Sequence, residues 1–318
     1  MTRWGAAAVC SGVVNNLAGL IACRVVLGAC EAMLATGSPF YLSTFYQRHE
    51  LGLRMALLLG SMPLASCFAS ALAYGITQID NGWEPWRWLF VIEGLPTIFM
   101  APLVFFLLPD SIASAKFLST DDQTLAIERL QVRDTTAKTK VSWHQYLAGL
   151  RDYKTYIHTL IHFCFNYSFA SLSNFLPTIV LNLGYTSINA QGMSAPPYFA
   201  AFVCCVGGAF ISDRWGKRGP LIALFGCFGL LGYLLLLLVP NEHVGPRYAG
   251  IVFACMGTFP VVSLNLTWVL NNLGSDSKKG ASLAVVATIG QLTSFIGSSV
   301  FPTKDAYVLS YLLFGIIN

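Results

Sequence analysis

The sequence predicts an all-α polytopic membrane protein, and three observations carry that reading. Apolar residues make up 55% of the 318 residues and charged ones 11%, where a water-soluble domain carries about 25% charged residues. Apolar runs long enough to cross hydrocarbon recur along the whole chain. Lys and Arg concentrate in alternate loops, as in chains threaded through a bilayer. A water-soluble globule and a disordered chain are excluded on the same grounds. The formal net charge of +4 is too small and too scattered for a nucleic-acid surface, so the lipid bilayer is the expected partner and nucleic acid is not.

The runs fall at 4–17, 19–45, 55–77, 87–108, 155–182, 195–212, 219–239, 248–270, 280–301 and 307–318. A span needs roughly 20 residues, which the eight interior runs reach and the two outer ones do not. Run 19–45 is interrupted only by Arg24 and Glu31, 55–77 contains Pro63, and 87–108 follows an interfacial Trp86-Arg87-Trp88. Run 155–182 is flecked with His158, His162, Asn166 and Asn174, whereas 219–239 is nearly unbroken Leu, Gly and Phe. Eight full and two partial spanning helices are expected. Both ends read as cut within a helix, with further spans expected on either side.

Segment 109–154 is the one long polar stretch and reads as a linker between an N-terminal bundle, 1–108, and a C-terminal bundle, 155–318. Ser119 and Asp122 have capping-box spacing ahead of Leu125, Ile127 and Leu130, and Trp143, Tyr146, Leu147 and Leu150 follow at helical spacing. Two amphipathic helices lying at the membrane surface are predicted.

Orientation follows from the basic residues. Arg48 and Arg54; Lys116, Arg129, Arg133, Lys138, Lys140, Arg151 and Lys154; Arg214, Lys217 and Arg218; and Lys278 and Lys279 occupy alternate loops, against Arg87, Arg247 and Lys304 opposite. The linker side is therefore cytoplasmic. The nine cysteines lie inside apolar runs without metal-site spacing and read as small buried hydrophobes. No cleavable signal segment is discernible.

A charge in hydrocarbon costs at least about 2.5–3.5 kcal/mol, so each needs a reason. Arg24, Glu31 and Glu93 qualify. Arg24 and Glu31 are seven residues apart, close to two turns, and project from one helix face about 10 Å apart along its axis. Arg24 offers a fork of donors suited to a carboxylate, and Glu31 can take a proton; a structural ion pair is the alternative. Gly28 and Ala32 read as a close-approach surface. Glu93 is a gate, a proton site or an interfacial anchor. Asn166, Tyr167 and Asn174 in one run, and Asn265, Trp268 and Asn271 in another, offer either substrate hydrogen bonds or bonds between helices. His158 and His162 have the one-turn spacing of a metal pair without a third ligand, so no metal site is expected. The Asn-x-Ser/Thr sequences at Asn166 and Asn265 lie within spans and are not glycan sites. No phosphate loop, nucleophile elbow or zinc spacing appears, and an enzyme reading lacks a site.

Ser212-Asp213-Arg214-Trp215-Gly216-Lys217-Arg218-Gly219 resembles the D-R-x-G-K/R-R loop of the major facilitator superfamily, with Ala209 where the family has its leading Gly. The finer resemblance is to the anion:cation symporter group and its fungal allantoate-permease-like branch, which includes nicotinate, pantothenate and biotin carriers. It is carried by Cys23 to Ala32, Tyr41-Leu42-Ser43, Gly82-Trp83, Trp86 to Gly94, Leu108-Pro109-Asp110, Ala115 to Leu118 and Lys278 to Ala281. The family's Pro-Gly on its fourth helix reads Thr36-Gly37 here, and the antiporter signature is not present at Gly60 to Ser66.

The resemblance implies a major facilitator fold lacking helices 1 and 2, with Arg24 on helix 4. It further implies proton-coupled symport of a small organic anion by alternating access, with Arg24 on the carboxylate, Glu31 on the proton, and Asp213 with Arg214 latching one state. A proton as coupling ion and no other cofactor, a monomer, and the plasma membrane are the accompanying expectations. A truncated, non-transporting membrane or sensing protein, and a sugar or drug carrier, are the alternatives.

Overall fold

The computed structural model describes residues 2–46, 48–78, 84–109, 111–115, 117–131, 143–240, 242–272 and 276–300. Gly82, Trp83, Asp110, Lys116, Arg133, Lys138, Lys140, Lys304 and the run 307–318 lie outside them. Every regular element described is helical: α1 Thr2–Val13, α2 Leu17–Phe45, α3 Arg48–Ile76, α4 Pro85–Leu107, a 3-10 turn Ile112–Ser114, α5 Thr120–Gln131, α6 Trp143–Arg151, α7 Tyr153–Leu181, α8 Ser187–Met193, α9 Ala195–Trp215, α10 Gly219–Leu238, α11 Val244–Asn272 and α12 Asp276–Val300.

Local chemistry sets the boundaries. Asn16 opens α2 by accepting from the Gly19 amide at 2.8 Å. Ser119 opens α5, its hydroxyl accepting from the Asp122 amide at 3.2 Å and donating to the Asp122 carboxylate at 2.7 Å. Gly216, at φ 66°, closes α9 in the left-handed conformation that a Cβ disfavours. Both expected linker helices are present, as α5 and α6. The short α8 ahead of α9 was not foreseen.

The eight interior runs are all long helices. Six spans, within α2, α3, α4, α8 with α9, α10 and α11, are apolar enough to cross a membrane by length and composition. Helices α7 and α12 are 29 and 25 residues long but fall outside that set; α7 buries polar residues, among them His158, His162 and Asn166. Outer faces are apolar, with Phe99, Phe105 and Phe106 on α4 and Leu238 on α10 exposed, as a lipid-facing surface requires. That outer surface also corrects the cysteine expectation: Cys205 and Cys255 are buried, whereas Cys10 and Cys227 are exposed.

The chain divides into two compact units, Met1–Gln47 with Gly75–Lys140, and Arg48–Tyr74 with Val141–Asn318. This grouping departs from the expected succession 1–108, 109–154 and 155–318, since most of α3 joins the second unit. In the first unit α1 crosses α4 through small residues: a Cβ on Gly5 would stand 3.1 Å from the Gly94 carbonyl, and one on Gly12 2.9 Å from the Arg87 carbonyl. In the second, α10 and α11 cross at Gly229, Gly232, Gly250 and Gly257. The adjoining core packs Phe259 against Phe169 and Tyr198, with ring centroids 4.8 and 5.9 Å apart. Helix α6 lies on α12, with Gly149 against the Lys278 backbone and Lys278 Nζ 2.6 Å from Asp152.

Candidate functional site

Arg24 and Glu31 both stand exposed on α2 within the first unit. The Arg24 guanidinium lies over the Phe90 ring of α4, 5.0 Å from its centroid, a cation–π geometry that covers one face of the fork and leaves its N–H edge open. Phe90 and Glu93 are three residues apart, hence neighbours on α4, so Arg24 reaches the face that carries Glu93. Glu93 is exposed, and its carbonyl accepts from Thr97 Oγ1 at 3.2 Å. Among the described residues neither Arg24 nor Glu31 forms an ion pair. The sequence reading missed Phe90; its only signal was an aromatic three residues before an intramembrane carboxylate.

The basic loop after α9 assembles a second constellation, inside the second unit. Asp213 Oδ2 accepts from the Leu53 amide at 2.7 Å, in the second turn of α3. Its Oδ1 accepts from Arg218 Nη2 at 3.1 Å. Gly52 makes this approach feasible, since a Cβ there would overlap the Asp213 carboxylate. Arg214, the base expected beside Asp213, is exposed at the end of α9. The reversal at Gly216 returns Arg218 to the carboxylate instead, which adjacency in sequence does not reveal.

The polar residues of α7 and α11 have different fates. Asn166 Nδ2 donates to the Gly290 carbonyl at 2.7 Å, joining α7 to α12. Asn265 is fully buried; its Nδ2 donates to the His158 carbonyl at 3.0 Å and its Oδ1 lies 2.8 Å from His158 Nδ1. With the amide so oriented, Nδ1 is the donor of that ring. Trp268 stacks edge-on against His158, with centroids 4.9 Å apart. Tyr167 is buried, Asn271 half-buried and Asn174 exposed. Asn166 and Asn265 thus spend their amides between helices, the commoner fate of an intramembrane Asn. Among the described residues no His, Cys, Asp and Glu cluster is arranged to hold a metal ion.

Long helices with apolar exteriors, polar contacts turned inward and charges confined to helix ends and one open face define an integral, multi-pass membrane protein. Residues 1–298 match the Major Facilitator Superfamily, and the chain belongs to that family. It is similar to the uncharacterized transporter C1002.16c of Schizosaccharomyces pombe, 30% identical over 95% of this chain and 61% of that protein. To the MFS transporter prlL of a fungal species it is 33% identical over 91% of this chain and 59% of that protein. The chain therefore spans about three-fifths of the length of the curated relatives it matches. Its fold resembles that of the human organic anion transporter MFSD10, with a TM-score of 0.65, 17% identity and coverage of 99% of this chain and 74% of that one. The xylose transporter XylE of E. coli gives 0.66 at 12% identity, covering 99% and 77%.

Proposed function

We propose that the chain belongs to a secondary transporter that moves a small organic anion together with a proton by alternating access, of the allantoate-permease-like kind. The observation that carries this reading is Arg24 and Glu31 on one open face of an apolar helix, with the Arg24 fork backed by Phe90. Arg24 grips the carboxylate in two parallel hydrogen bonds. Glu31 carries the proton, so anion and proton enter as a pair that adds no net charge to the site. Glu93, one turn beyond Phe90 on α4, is the carboxylate that competes for the guanidinium when the anion has left. Asp213, held by the α3 amide and Arg218, latches one state and releases α3 in the other. The linker side faces the cytoplasm, and the plasma membrane is the location that fits uptake.

The test is uptake of labelled allantoate, nicotinate, pantothenate and biotin into permease-null cells at pH 5 and pH 7. Uptake of one of them, stronger in acid, is expected. Arg24→Lys keeps the charge but loses the paired geometry; at about 1.5–3 kcal/mol for charged hydrogen bonds, uptake falls roughly ten- to hundredfold with membrane abundance unchanged. Normal uptake by Arg24→Lys, or silence toward all four anions from chain present in the membrane, refutes the proposal.

A further inference from the structure

Thr155, His158, His162 and Asn166 follow at spacings of three, four and four on α7, and so line one face over roughly 16 Å. All four are buried. Three are satisfied across the helix contacts: Thr155 Oγ1 lies 2.8 Å from Ser282 Oγ, His158 Nδ1 donates to Asn265, and Asn166 donates to Gly290. His162 is the exception. It is 4% exposed, and its Nδ1 is buried without a hydrogen-bond partner. The ring meets α12 through its Cδ2 edge where Gly290 leaves room; a Cβ there would overlap Cδ2 and stand 3.0 Å from Nε2. A histidine kept only for packing would be satisfied like His158, one turn away, or replaced by an apolar ring of similar size.

We infer that His162 is a proton-accepting site in the seam between α7 and α12, distinct from the carboxylate site on α2. Its role in transport rests on the proton-coupled reading above. The proton adds to a ring nitrogen and leaves from the same ring to water, so the step needs no other reagent.

The charges around the ring show why this step is tied to motion. On α7 the nearby titratable groups are His158, Cys164 and Tyr167. Helix α11 carries Arg247, Tyr248 and Cys255, and α10, which meets α7 at Phe165, carries Cys227 and Tyr233. On α12 the charged residues are Asp276, Lys278 and Lys279, eleven or more positions before Gly290. Helix α6 carries His144, Tyr146 and Arg151, and α8 has no titratable residue. Helix α9 meets α7 at Leu172, where Tyr198 donates to its carbonyl; its other titratable groups are Cys204, Cys205, Asp213 and Arg214. Among the described residues no carboxylate faces His162. A cationic ring therefore has no counter-charge in the closed seam, and must be hydrated while charged and release its proton before closure.

The experiment uses the 318-residue chain in phosphatidylcholine nanodiscs. Ring nitrogen NMR of its five histidines is recorded from about pH 7.5 to about pH 4.5, the range over which imidazole serves as a switch. One ring, identified by its loss in His162→Gln and by single replacement of the other four, converts from neutral to cationic, and Gly290→Ala moves its midpoint. In uptake assays with the labelled anion that the wild type takes up, His162→Gln lowers the pH 5 to pH 7 ratio below the wild-type value, while Glu31 keeps it above one. A His162 ring that stays neutral across the whole range overturns the inference, as does a His162→Gln variant with the wild-type ratio. The titration is read on the unsubstituted chain, so a poorly folding His162→Gln does not rescue the idea. Uptake by the wild type that ignores pH refutes the proton-coupled reading instead, and the titration then decides the site alone.

Discussion

Replacing Gly257 with Ala places a methyl group where α11 crosses α10. Its carbon would overlap the Gly229 amide nitrogen and stand 2.5 Å from Gly229 Cα and 2.6 Å from the Phe225 carbonyl oxygen. All three are backbone atoms, so no side chain can swing aside; ordinary contact at about 3.5 Å requires the helices to part by roughly 1 Å. A gap of that size forfeits about a quarter to a half of the dispersion energy of the facing atoms, and overpacking of this kind costs about 1–3 kcal/mol. Gly207, in the middle of α9, has nothing within 4 Å of its Cβ position. There the same change recovers only the helix preference of Ala, about 0.5–1 kcal/mol of stabilisation. Thermal and SDS-titration unfolding in detergent, followed by helical circular dichroism, should give shifts of opposite sign for Gly257→Ala and Gly207→Ala. Gly232→Ala also strikes backbone, 2.6 Å from the Gly250 carbonyl and 2.8 Å from Ala254 Cα. Because one separation of the helices accommodates both methyls, the double variant should lose less than the two singles together. Equal stability of Gly257→Ala and the wild type, or destabilisation by Gly207→Ala of the same size, would refute the reasoning.

Two further outcomes follow from buried and interfacial polar contacts. Asn265→Ala leaves the His158 Nδ1–H and carbonyl buried without Asn265; unfolding should show a loss of about 1–3 kcal/mol per abandoned group with the KM for anion uptake unchanged, and a raised KM at wild-type stability would return Asn265 to the substrate site. Lys278 beside Asp152 holds that carboxyl below the usual carboxylate range. Its contribution to stability is therefore complete above the ordinary Asp value of about 3.9 and lost as pH falls through the lower folded value. Asp152→Asn should lower stability near neutral pH and flatten the acid limb of a stability-against-pH curve, and an unchanged acid limb contradicts the assignment.

Particular residues show how much of this was legible beforehand. The capping residue Ser119 acts through a bond to a residue three positions on, so reading along the chain finds it; Asn16 and the turn at Gly216 act just as locally but were not singled out. The apolar lengths predict the spanning helices for the same reason, because the thickness of hydrocarbon is a property of the solvent and not of the fold. The one-turn spacing of His158 and His162 was visible, but spacing names a face and not what meets it. That Asn166 bonds α12 and Asn265 bonds His158, across 124 and 107 positions of chain, depends on which helices come to lie side by side.

Arg24 and Glu31 were legible as a pair on one face, since seven residues make nearly two turns whatever surrounds them. Phe90 beneath Arg24, Arg218 in place of Arg214 on Asp213, and the difference between satisfied His158 and open His162 were decided by tertiary structure alone. Charge, hydropathy and helical period are local properties, and a sequence determines them directly. Whether a buried polar atom finds its counterpart depends on the approach of distant helices, governed here by glycines that let backbones touch, and only the folded chain settles it.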